Sequence, residues 1–201
     1  MADMTAVDGS ALAPESLKMM HYLTIRAAEL SAAAICERIR AAAAELETCV
    51  AAVDEQQARI HPVPGKWTIA EVVDHISQTQ VRATEELRHL LAGRRPPLPP
   101  VYEALRSGAG DWAPWDQLRA ELHDANGTML ELLETADDRS SAAAPTVRTV
   151  MVALRHLEDG RTTPQIFFAE LRWKEYALLQ RLHLLDHRTQ VKNLRAALPP
   201  L

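Results

Sequence analysis

The chain has 201 residues, 47% of them apolar and 24% charged, with a formal net charge of −5. That length is enough for one domain with a real core, and the composition is globular. The acidic balance argues against a nucleic-acid binder, which would carry a basic face. No run of about 18 apolar residues is present, so no membrane span is expected. The first residues lack a basic stretch followed by an apolar one, so no secretory signal is expected. Cys36 and Cys49 lie 13 residues apart in one helical pattern. At ~1.5 Å per residue they are roughly 20 Å apart, too far for a disulfide. They read as reduced thiols of a cytosolic protein.

In chain order, residues 1–14 read as a frayed terminus and 15–198 as a single domain. From Glu15 to about Gln57 apolar residues repeat at helical spacing, through Leu17, Met20, Leu23, Ile35, Ile39, Leu46 and Val50. So long a helix predicts a break near Leu30-Ser31. The segment His61–Gly65 holds two prolines and a glycine and interrupts the pattern. A second helix opens after Trp67, with Thr68 and Glu71 spaced as a capping box, and ends at about Leu91 before Gly93.

Residues 94–111, rich in proline and glycine, read as loop. A third helix starts at Pro114 and ends near Asp137. The span from Val147 to Glu158 is expected as a short helix, closed by Asp159-Gly160. Thr163-Pro164 then reads as the cap and first-turn proline of a last helix reaching Leu198. No stretch alternates clearly with period two, so no strand is expected. The expected fold is an all-α, four-helix bundle with long connections.

The chemistry concentrates in the last helix. His183 and His187 stand four apart and share a helical face, so one ion could meet both. Such a pair alone is weak evidence and needs a third ligand. On the second helix, His75 lies eight residues after Trp67, near the same side.

The segments Trp67-Thr68-Ile69-Ala70-Glu71-Val72-Val73-Asp74-His75 and His183-Leu184-Leu185-Asp186-His187-Arg188-Thr189-Gln190-Val191 together resemble the DinB-like (DinB/YfiT-like) family of four-helix bundles. The resemblance spans roughly residues 16–196 and includes Trp115 at the start of the third helix. Residues 138–163 depart from the family's pattern. It implies a divalent metal, often zinc or nickel, held by His75, His183 and His187, and a shared ion would require the second and last helices to be adjacent. It also implies enzymes that use low-molecular-weight thiols such as bacillithiol or mycothiol, and proteins that are often homodimers.

The residue chemistry fits independently. Imidazoles suit zinc, nickel, copper and iron, and three of them leave coordination positions open. Water held there would titrate towards ~7, and a thiol would be deprotonated. The expected activity is metal-dependent thiol S-transfer or hydrolysis of a small-molecule substrate. The alternatives are a non-catalytic metal-binding or stress-response module, or a bundle that has lost its metal and keeps the histidines for hydrogen bonding. Gln190 reads either as a residue holding a ligand imidazole or as an exposed polar side chain. No residue is assigned a catalytic role from the sequence. Trp67 reads chiefly as a core residue. His21, His61, His89, His123 and His156 lack a partner at metal spacing and read as surface residues. The alanine-rich first helix predicts surface left over for a second copy of the chain.

Overall fold

The computed structural model describes residues 11–97, 99–101, 103–138, 146–156 and 162–198. The expected frayed terminus therefore lies mostly outside the described residues. Helix α1 spans Pro14–Glu29 with proline in its first turn. Leu30 is extended, and Ser31 caps α2, Ala32–Ala51, by accepting from the Ala34 amide at 3.2 Å. The long N-terminal pattern thus breaks where the sequence predicts. A short α3, Glu55–Arg59, follows.

Helix α4, Ile69–Leu91, opens on the expected reciprocal cap. Thr68 Oγ1 accepts from the Glu71 amide at 3.1 Å, and Glu71 Oε2 accepts from the Thr68 amide at 2.7 Å. Gly93, at φ +69°, ends it in the left-handed conformation that glycine adopts without strain. Helix α5 spans Trp115–Glu134 and α6 spans Trp173–Ala196. Among the described residues, none of these helices is long and apolar enough to cross a membrane.

Two expectations fail between α5 and α6. Residues Val147–His156 form strand β1 and Thr162–Leu171 form strand β2, paired antiparallel with Val147 opposite Leu171 and His156 opposite Thr162. The expected short helix at 147–158 is therefore a strand. The last helix begins at Trp173, not at Thr163-Pro164. That dipeptide sits inside β2, where a strand with one free edge tolerates proline.

The reason is compositional. The buried positions Val147, Met151, Phe167, Ala169 and Leu171 alternate with Val150, Val152, Ile166 and Phe168, which are themselves apolar. A strand that is apolar on both faces shows no period of two. Gln165 fastens this hairpin to the start of α1. Its Oε1 accepts from the Ala13 amide at 2.7 Å and from Ser16 Oγ at 2.9 Å, and its Nε2 donates to Ala11 O at 3.0 Å.

The bundle proper is α2, α4, α5 and α6. Around it the neighbours are α2 with α5, α5 with α4, α4 with α6, and α6 with α2. Two of the three connections between successive bundle helices, α2 to α4 and α5 to α6, thus run between diagonal positions. Helix α1 lies outside, against α6 and β1. The core joins Ile35, Ile39 and Leu46 of α2 to Val72 and Ile76 of α4, Leu118 and Leu122 of α5, and Trp173 and Leu184 of α6. Ala42 and Ala43 face this core, while Ala41 and Ala44 are exposed. Cys36 is buried and Cys49 half-buried, both on α2 and both free.

Candidate metal centre

The α4–α6 contact brings the three predicted histidines together. His75 Nε2 lies 3.2 Å from His183 Nε2, and His187 Nε2 lies 2.9 Å from the same atom. One ligand-type atom from each ring falls within 4.8 Å of the other two. Bonds of ~2.0–2.1 Å in a tetrahedron put ligand nitrogens about 3.3 Å apart, close to this spacing.

Two of the rings are held from behind. His75 Nδ1 donates to Leu105 O at 2.9 Å, and His187 Nδ1 donates to Gln190 Oε1 at 2.7 Å. A carbonyl oxygen only accepts, so both rings carry their proton on Nδ1 and turn an Nε2 lone pair towards the cluster. The single Nε2 of His183 can donate to only one of them. One dication would satisfy all three, and the donor set therefore fits a divalent metal.

Burial reinforces this. It lowers the pKa of His75 and drives that of His183 well below the ordinary histidine value, with the neighbouring histidines adding repulsion. His187 is brought down to about 4 by burial and then by His75. All three rings are neutral near pH 7, the form that ligates metals.

The loop before α5 positions His75. Asp74, buried beside it, accepts from Ser107 Oγ at 2.6 Å and the Ser107 amide at 3.2 Å through Oδ1, and from the Gly108 amide at 3.1 Å through Oδ2. This clamp fixes the backbone that offers Leu105 O. Gly110 lets the loop approach α4, since a Cβ there would sit 2.8 Å from Glu71 Cα. Arg106 pairs with Glu71 and lies over the Trp67 ring at 5.4 Å, while Trp67 packs beside His75 at a ring-centre distance of 5.2 Å. Trp67 is half-buried against the core, as expected, and shields one side of the cluster.

The sequence reading missed Asp74 as a clamp. An aspartate preceding a ligand-type histidine carries no signal until the loop that it binds is in place. Gln190 stands behind His187 and is half-buried rather than exposed.

A cavity of about 710 Å³ adjoins the histidines. Its wall includes Met19 of α1, Thr79, Arg82 and Glu86 of α4, Met151 of β1, and Tyr176, Leu179, Gln180 and Leu182 of α6. Its size suits one small molecule. Residues 148–152 of the unexpected hairpin close one side, so the segment that the sequence left unplaced shapes the site.

The other histidines stand apart. His61 contacts Lys66 O at 3.0 Å, His89 lies 3.3 Å from Glu85, and exposed His123 lies 3.0 Å from Glu47. His21 is exposed, and the side chain of His156 lies outside the described residues.

A family model of the DinB superfamily matches residues 38–191. The chain belongs to the DinB superfamily. No curated protein matches it. Among solved structures, it is similar to a mycothiol-dependent maleylpyruvate isomerase, with a TM-score of 0.58 and 14% identity over 82% of this chain. The chain spans 62% of that isomerase's length. It is also similar to YfiT from Bacillus subtilis, described as a probable metal-dependent hydrolase with an unusual four-helix bundle topology. There the TM-score is 0.51 and the identity 15%, over 80% of this chain and 83% of that one. At such identities these two likenesses establish the helical-bundle fold.

Proposed function

We propose that this DinB-superfamily protein is a metal-dependent enzyme in which His75, His183 and His187 hold zinc or nickel beside a small-molecule cavity. The observation that carries this reading is the convergence of three neutral imidazoles, two with their tautomers set by Leu105 O and Gln190 Oε1, at the cavity wall. A divalent ion supplies Lewis acidity there, favouring the thiolate form of a thiol or polarising a carbonyl. The protein's own groups orient and enclose. Asp74 fixes the loop behind His75, Gln190 fixes His187, and Met151, Leu179 and Leu182 give the bound molecule an apolar, water-poor wall.

The favoured reaction is transfer chemistry of a low-molecular-weight thiol, whose sulfur bonds to an electrophilic carbon of the second substrate. The dependence of a similar structure on mycothiol supports it. Hydrolysis is the second reading, supported by the description of YfiT. A module that only stores metal has no use for a 710 Å³ cavity against its ligands. The free cysteines support a cytosolic setting. Exposed Leu17 and Ile25 on α1, and the exposed cross-strand pair Val152 and Ile166, support a homodimer.

The test is elemental analysis of the purified protein, followed by a thiol-conjugation screen with several electrophiles. We expect about one ion per chain and conjugation that disappears on chelation. A protein that takes up no zinc or nickel would sink the proposal. Ester or amide cleavage without conjugation would move it to hydrolysis.

A further inference from the structure

The cavity has a second polar feature, one helical turn from the histidines. Thr79 follows His75 by four residues on α4, and Gln180 precedes His183 by three on α6. Residues at these spacings share a helix face, so the two polar side chains line the same seam as the histidines, ~5–6 Å further along. Both border the cavity. Thr79 Oγ1 and Gln180 Oε1 are buried, and neither has a hydrogen-bond partner among the described residues. Gln180 is only 4% exposed.

Thr79 is not idle for want of a local option. Thr48, Ser77, Thr84, Thr128 and Thr189 each donate back to the carbonyl four residues earlier on their helices, and Thr79 makes no such bond. A buried hydroxyl and a buried amide oxygen left unpaired cost free energy unless something completes them. The surroundings fix what that is. Further along α4 on the same wall, Arg82 and Glu86 pair at 2.7 Å, and Glu86 also accepts from the Tyr176 hydroxyl. Paired in this way, Arg82 and Glu86 present no net charge to Thr79 and Gln180, whose own groups offer hydrogen bonds.

We infer that Thr79 and Gln180 form a neutral subsite for an uncharged amide or hydroxyl group of the thiol that reacts at the histidines, placed about one helical turn from its sulfur. This rests on the metal-dependent thiol reading above and adds the substrate class. An amide N–H of the ligand donates to Gln180 Oε1, and its carbonyl accepts from Thr79 Oγ1. Apolar thiols of similar size leave both groups unpaired and bind more weakly.

The experiment uses the zinc-loaded full chain and two probes, N-acetylcysteamine and 1-propanethiol, in calorimetric titrations. The parent should bind N-acetylcysteamine about tenfold more tightly, the value of one or two neutral hydrogen bonds. Gln180→Met and Thr79→Val, which preserve volume, should each remove most of that preference, leaving propanethiol affinity and zinc content unchanged. Equal affinity for both thiols in the parent, or an unchanged preference in both variants, overturns the subsite. So does loss of zinc in Gln180→Met, because Gln180 then serves the buried, unpartnered Nδ1 of His183 instead.

If neither thiol binds, the thiol reading fails, and the subsite is judged separately. The side-chain amide resonance of Gln180, assigned by its absence in Gln180→Met, should shift with N-ethylacetamide. A resonance that stays in place overturns the subsite on its own account.

Discussion

At the scale of single residues, the centre depends on which proton sits on which nitrogen. His75 and His187 are fixed by one acceptor each, whereas Nδ1 of His183 is buried without a partner among the described residues. Changing His75, His183 or His187 singly to alanine should remove most of the bound metal, because each loses a direct bond. Gln190→Ala should weaken binding by roughly 10- to 100-fold, since it frees the His187 ring without deleting it. His123→Ala should leave the metal in place. Metal per chain, measured by elemental analysis, checks the set, and a His183→Ala protein that keeps the parent's metal content refutes the assignment.

A pH dependence follows at the same scale. In the metal-free protein the folded pKa of His187 is about 4, against ~6.5 for an unfolded histidine. Below ~6.5 the unfolded chain binds the proton first. Stability is therefore full above that pH and falls as pH drops towards 4, by on the order of 3 kcal/mol for this group. The melting temperature of metal-free protein should drop between pH 7.5 and 5.5, and His187→Gln should drop less. Equal drops would mean that His187 is not the group responsible.

At the scale of elements, α4 and the loop before α5 act as one unit. Asp74 holds the loop, Gly110 lets it approach, and Leu105 O reaches back to His75. An alanine at Gly110 would press its Cβ against Glu71 Cα and Ala70 O, backbone atoms that cannot swing aside. Gly110→Ala should therefore cost about 1–3 kcal/mol of stability. By displacing the loop it should also weaken zinc binding, although Gly110 touches no histidine. Denaturant unfolding of the metal-free protein, together with zinc titration, reads both effects. An unchanged zinc affinity would separate the loop from the site.

At the scale of the whole molecule, the diagonal connections put α4 beside α6 although α5 and a hairpin intervene in the chain. A metal held by His75, His183 and His187 as proposed would tie the second bundle helix to the last across that seam. The homodimer proposed above belongs here too, because Leu17 and Ile25 of α1 and the hairpin pair Val152 and Ile166 stay exposed outside the closed bundle. Light scattering at micromolar concentration should give twice the 22.3 kDa chain mass. A monomer mass would leave those apolar residues without the partner proposed for them.

From sequence alone, the bundle helices, the Thr68–Glu71 cap, the break at Leu30-Ser31 and the candidate ligand histidines were legible. The helices, the cap, the break and the His183–His187 pair each depend on residues within a turn or two of one another, so local spacing and capping chemistry carry the signal, whereas His75 entered the set through the family resemblance. The hairpin was not legible. Its strands are apolar on both faces because one packs on the bundle and the other stays partly exposed, and Thr163-Pro164 mimics a helix start. Nor was the cavity, which forms only when β1, α4 and α6 meet. Asp74 as a clamp, the acceptor behind His75, the choice between the two readings of Gln190, and the polar atoms of Thr79 and Gln180 left without partners among the described residues belong to the same class. What a polar side chain does depends on which distant backbone or cavity faces it, and tertiary packing decides that.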